Sequence, residues 1–183
     1  MKNFAVEDTT AITKIHMKDK AGKEVTLEKM EPGKWKVNGK YIARNDGINL
    51  LLNTMRAMKV RNPVPKRAQN TVVKDLATGS KKVEIFAGDE LVKAYYIGTE
   101  TQDMEGNYML MIDPESGENA EMPFVVHIPG FKGFLGTRFF LNEQDWRDRE
   151  VFRYNYSDFK SVKLEFYNSK DSGFTINSLG ENT

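Results

Sequence analysis

Apolar and polar residues alternate at the start of the chain, through Ile12, Ile15 and Met17 and again through Val25 and Leu27, with Asp19-Lys20-Ala21-Gly22 between. Alternation of that kind marks half-buried strands, and the interruption predicts a β-hairpin. Lys34-Trp35-Lys36-Val37, turned at Asn38-Gly39, predicts a further short strand with a tight return. The period then changes. Ile48, Leu51, Leu52, Met55 and Met58 fall at i, i+3, i+4, i+7 and i+10, the apolar stripe of a helix, with Asn45 or Asp46 as cap and Asn62-Pro63 as stop. Pro63-Val64-Pro65 breaks the chain, and Ala68, Val72 and Leu76, four apart, predict a second helix that Gly79 would end in a left-handed cap. From Lys81 the alternation returns: Val83 to Phe86, a Gly88-Asp89 turn, Leu91 to Ile97, Asn107 to Ile112, and Phe124 to Ile128. Turn residues separate each pair, which predicts an antiparallel meander, with Asp113 to Glu121 as a solvated hairpin loop. The expected class is α+β: antiparallel β-sheet with two main helices packed on it.

The end of the chain echoes its beginning. Ser157-Asp158-Phe159-Lys160-Ser161-Val162-Lys163-Leu164, a turn, and Phe174-Thr175-Ile176 match Thr10 to Met17, a turn, and Val25-Thr26-Leu27, apolar for apolar. The second copy has two more residues between its strands, and Gly22 and Gly173 are expected to sit in the respective turns. A β-hairpin, strand and helix unit is thus partly repeated at the carboxy terminus. Three segments follow from this reading: a hairpin-strand-helix unit over 1–64, a helix with meander and Phe/Gly-rich loop over 65–150, and the partial repeat over 151–183, expected to pack with the rest as one compact body.

Composition narrows the class. A chain of 183 residues can bury about 70% of its unfolded surface, enough for a real core. The 27 basic and 26 acidic residues leave a net charge of +1, so no global field draws the protein to nucleic acid or anionic lipid. Without cysteine, disulfides, thiolate metal sites and a cysteine nucleophile are excluded. No apolar run reaches the roughly 20 residues of a membrane-spanning helix, and Met1-Lys2-Asn3 leads into patterned sequence without a signal peptide.

Few residues offer chemistry. His16 and His127 stand apart with no H-x-H or H-E-x-x-H spacing, so each is expected to face solvent or make one hydrogen bond. Asp103 to Asn107 and Asp113 to Glu118 cluster carboxylates without the frame of a calcium loop. There is no G-x-S-x-G elbow and no cofactor motif. Asp145, Asp148 and Glu150 beside Trp146 could form the acid pair of a glycosidase, but pairing with Arg147 and Arg149 around a structural turn, with Trp146 as a plug, is the simpler expectation.

Pro129 to Leu141 has no period yet is rich in phenylalanine and glycine. It lacks the Gly-Lys-Ser/Thr of a phosphate loop, and its aromatics at 131, 134, 139 and 140 do not alternate on one strand face as an RNA-binding platform requires. Two readings stand: these residues cover the sheet, or Phe131, Lys132, Phe134, Leu135, Arg138, Phe139 and Phe140 form a partner-binding surface, with Trp146, Arg147 and Arg149 as a secondary candidate.

Trp146-Arg147-Asp148-Arg149, an apolar pair at Val151-Phe152, then Phe159-x-x-Val162-x-Leu164, together with Ile12-x-x-Ile15-x-Met17, Gly33-Lys34-Trp35-x-Val37 and the following helix, resemble the bacterial family catalogued as domain of unknown function 4340. The resemblance covers most of the chain. It implies a cell-envelope protein on the periplasmic face, anchored to the membrane through an amino-terminal segment this chain lacks, and accessory to ABC-type export or gliding-motility components. No catalytic residues come with it. It also implies that a Gly-x-Trp strand and a helix would follow the second copy beyond Thr183. The expected function is therefore a non-catalytic, protein-binding module rather than an enzyme, with a binding domain for single-stranded nucleic acid or glycan through 130–140 as the alternative.

Overall fold

The computed structural model describes residues 3–31, 33–150, 152 and 154–178. Val151 of the apolar pair and the terminal Asn182-Thr183 lie outside them. The chain divides into two units, Met1–Asp148 and Arg149–Thr183.

In the first unit the elements run β1 (Lys14–Asp19), β2 (Glu24–Glu31), β3 (Lys34–Val37), β4 (Tyr41–Ile42), α1 (Asn45–Ala57), β5 (Lys59–Pro63), α2 (Lys66–Gly79), β6 (Lys81–Ala87), β7 (Glu90–Glu100), β8 (Asn107–Ile112), β9 (Phe124–His127) and a short α3 (Glu143–Trp146). Among the described residues, nine strands form one antiparallel sheet in the order β4-β3-β2-β1-β6-β7-β8-β9-β5. The protein is α+β, as the alternation predicts. Segments 1–64 and 65–150 share this sheet, because β1 pairs with β6 and β5 with β9.

The pleat sends successive side chains to opposite faces, and each face has its own cover. Ile15, Met17, Val25, Leu27, Trp35, Val83, Ile85, Tyr95, Ile97, Met109 and Val126 point to one side, into a core shared with Ile48, Leu51 and Met55 of α1. Leu110 and Val125 point to the other, where Val72 and Leu76 of α2 cover them, with Tyr96 and Tyr108 partly buried alongside. Gly98 permits that second contact: a Cβ there would lie 2.6 Å from Leu76 Cδ2. The two predicted helices thus lie on opposite faces of the sheet.

Local signals hold where the chain itself supplies the partner. Asn38 (φ 51°) and Gly39 (φ 66°) both take the positive-φ backbone of a tight hairpin turn between β3 and β4. Helix boundaries differ from expectation. α1 begins at Asn45 with Arg44 at the cap position and no side-chain cap; Asp46 instead takes the Arg44 guanidinium at 2.8 Å. It ends at Ala57, and Met58 (φ −60°, ψ 135°) leads into β5, so Lys59–Pro63 is an edge strand rather than the last turn of a helix before a stop. Pro63 is tolerated there because an edge strand has one ladder without partners. α2 ends at Gly79 without a left-handed residue: Ser80 is extended and its hydroxyl donates to the Leu76 carbonyl.

The second unit, taken by itself, is a two-stranded antiparallel sheet of β10 (Ser161–Phe166) and β11 (Ser169–Asn177), preceded by a 3-10 turn at Tyr156–Asp158. Its register repeats that of the first hairpin. Ile15 pairs with Leu27 and Met17 with Val25; Val162 pairs with Ile176 and Leu164 with Phe174. These are the same four positions that match in the sequence. Gly173, however, lies inside β11 and not in the turn, which is made by Tyr167-Asn168. The two additional residues extend the ladder through a bulge after Leu164 to a Phe166–Ser169 pair.

Candidate functional site

The Phe/Gly-rich segment is a strap over the first core. Leu135 and Phe139, two of the candidate surface residues, are buried, at 1% and 0% exposure, and so cannot meet a partner. Phe139 packs edge-on against Tyr95, which packs in turn on Phe4. Phe131 and Phe140 are partly buried against the same core and Phe134 is also half-buried, leaving Lys132 exposed. Gly133 allows the segment to fold over the Phe131 ring, since a Cβ there would lie 2.7 Å from Cζ. The Arg138 guanidinium lies 4.1 Å from the Phe131 ring centroid and donates to Thr54 Oγ1 at 3.0 Å.

Three polar side chains that the sequence did not single out hold this strap. Asn107, 1% exposed, accepts from the Leu135 N–H at 2.9 Å and donates to the Gly98 carbonyl at 3.0 Å. Lys81 donates to the Gly136 carbonyl at 2.9 Å, and burial pushes its ammonium below the usual lysine range. Thr54, the acceptor for Arg138, itself donates to the Leu50 carbonyl. A segment without periodicity is thereby given one conformation by groups far away in sequence. The Phe131, Phe139 and Phe140 rings pack on the core, Phe131 also meets Arg138, and Phe134 is half-buried.

The secondary candidates separate. Trp146 is fully buried, tilted against Phe140 at 4.1 Å between centroids, and donates its indole N–H to the Phe140 carbonyl at 2.9 Å. Arg147 lies 3.5 Å over the Tyr41 ring and pairs with Glu143. Hydrogen bonds from Asn38 and then Arg147 hold the Glu143 carboxyl below its ordinary range. Arg149 is exposed and belongs to the second unit.

Other polar groups are committed locally. His16 lies between two carboxylates, with Nδ1 3.1 Å from Glu84 and Nε2 3.5 Å from Glu24, so it has two partners where one was expected. Asp103 and Glu105 both receive Arg61, at 2.7 and 2.8 Å. Hydrogen bonds from Thr101 and Arg61 pull the Asp103 carboxyl down to about 2. Among the described residues no three His, Asp or Glu side chains converge as a metal site, and no helix is long and apolar enough to cross a membrane.

The surface that departs from a solvated exterior is in the second unit. On β10 and β11 the alternation places Val162, Leu164, Phe174 and Ile176 on one side, and Lys163 and Thr175 on the other. The apolar four are 47, 40, 51 and 55% exposed, and Phe166 stands at 47%. Lys163 pairs with Glu165 at 2.5 Å on the polar side. Beside Val162 a groove of about 710 Å³ is lined by Phe152, Tyr154, Phe159 and Lys160, with the Phe152 and Tyr154 rings stacked at 6.3 Å. Contiguous exposed apolar surface of this kind marks an interaction site more often than an idle exterior. The alternation of this hairpin was legible in the sequence; its lack of cover was not. Comparison with protein-family models, with curated proteins and with solved structures finds no match to this chain.

Proposed function

We propose that the protein is a non-catalytic interaction module of the bacterial cell envelope, working on the periplasmic face as an accessory to an ABC-type export or motility complex. It meets its protein partner through the apolar face of the second hairpin, not through the strap over 130–140. The observation that carries this reading is the exposure of Val162, Leu164, Phe174 and Ile176 in a hairpin whose register matches that of a fully buried one. The envelope setting rests on the family resemblance of the Trp146-Arg147-Asp148-Arg149 stretch and the strand motifs around it.

A photo-reactive residue placed at Phe174 in the natural host tests it. Cross-links to an envelope transport or motility protein are expected from position 174 and not from Thr175 on the opposite side. Absence of any protein adduct from position 174, or equal labelling from both positions, would overturn the proposal.

A further inference from the structure

We infer that the cavity beside the strap takes a small uncharged aldehyde or ketone, which condenses with the side-chain amine of Lys81 to an imine. The site is separate from the face assigned to a protein partner and stands or falls without it.

Lys81 opens β6 and lines a cavity of about 340 Å³ shared by the end of α2, by β7 and by the strap. That is the small end of the range for ligand pockets. Gly79, Gly98 and Gly136 line it without a side chain, and Ile97 and Phe134 give it apolar surface. Lys81 Nζ donates to the carbonyl of Gly136 at 2.9 Å, which puts the amine at the cavity, and among the described residues it has no other acceptor. Burial lowers its pKa, with Asp19 pulling more weakly the other way. More of the amine therefore stands as the free base, the form that attacks a carbonyl carbon. Glu100 also lines the cavity, and its carboxylate opposes an anionic ligand.

The condensation suits this amine. Its nitrogen adds to the carbonyl carbon, the carbon–oxygen bond breaks, and the oxygen leaves as water with two of the three ammonium hydrogens. The protonated imine keeps the third, enough for the one bond to Gly136. Lys93 differs in this respect. Burial lowers its pKa as well, but it donates to both the Asn3 and the Ala5 carbonyls, at 2.7 and 3.0 Å, and a protonated imine would keep only one of those bonds.

Benzaldehyde with cyanoborohydride, which reduces the imine to a stable benzylamine, tests this on the full chain at neutral pH, with the marked lysines read by peptide mass mapping. Lys81 should be marked roughly tenfold faster than Lys93 and than the exposed Lys132. The preference should vanish in urea, where no cavity exists. Lys81→Arg, which keeps a donor for Gly136, should lose that mark and leave the other lysines as reactive as before. Equal rates at Lys81 and Lys132 would overturn the site. Equal rates at Lys81 and Lys93 would do the same, since burial without a cavity would then account for the reactivity. Protection of Lys81 by benzoate, with amide shifts at Gly98 and Gly136, would make the cavity an anion site and sink the carbonyl ligand.

Discussion

Two hairpins in this molecule share a register and differ in fate. Ile15, Met17, Val25 and Leu27 are at 0% exposure, whereas Val162, Leu164, Phe174 and Ile176 lie between 40 and 55%. The difference teaches that alternation makes a face but does not bury it. The first hairpin gains β6 on one edge, β3 on the other and a core shared with α1, and each buried side chain of that size contributes about 1.5–3 kcal/mol. Among the described residues the second pairs its own two strands alone, an arrangement that is marginal in water on its own. A surface kept apolar at that cost is the reason to look for a partner there.

The sharpest way to break the comparison is to place a charge at equivalent positions. Met17→Lys buries an unpaired ammonium and should cost more than about 4 kcal/mol, enough to abolish the cooperative urea transition of the first unit. Leu164→Lys should leave that transition within about 0.5 kcal/mol. Equal losses would mean that the second face is covered after all.

A smaller effect isolates the strap that helps to close the first core. Asn107→Ala removes the acceptor of the buried Leu135 N–H and should cost about 1–3 kcal/mol in the same urea titration. Val162→Thr, a comparable polarity change in the second hairpin, should be nearly silent. Tyr95→Phe goes the other way. The Tyr95 hydroxyl is buried without a hydrogen-bond partner, and burial pushes its pKa up; removing it should be neutral or stabilise by up to about 1 kcal/mol. The core around the first hairpin carries that polar defect, and thermal unfolding of the variant will show whether it is a burden.

The least effect is expected at the surface of the first unit. Asp103 sits at about 2 when folded against an ordinary value of 3.8, a lowered pKa, so its contribution is present above pH 4 and disappears as pH falls through 2. The Tm difference between the parent and Asp103→Asn should therefore be small at pH 6 and vanish near pH 2. A difference that grows on acidification would contradict the Arg61 pairing.

The legible parts of the fold were those that repeat locally. The α1 stripe and the Asn38-Gly39 turn depend on residues within a few positions of one another, and both stand where they were expected. β5 was hidden because Asn62-Pro63 punctuates the chain as a stop; only pairing with β9, far away in sequence, makes Lys59–Pro63 a strand. The strap over 130–140 has no period because it is neither helix nor strand; Asn107, Lys81 and Thr54 hold it from three other elements. That is also why a partner surface stayed open there beside the leading reading of a core cover. The candidate site was half legible: the second hairpin and its apolar positions could be read, but not their exposure.

By itself the sequence determined which side chains share a face and which positions of the two hairpins pair. Periodicity and turn chemistry act between near neighbours, and so are written in the order of residues. The tertiary structure decided which face is covered. Burial depends on what arrives from elsewhere: β6 and β3 pair with the first hairpin, whose apolar side chains share a core with α1, while those of the second, with the same pattern, are 40–55% exposed.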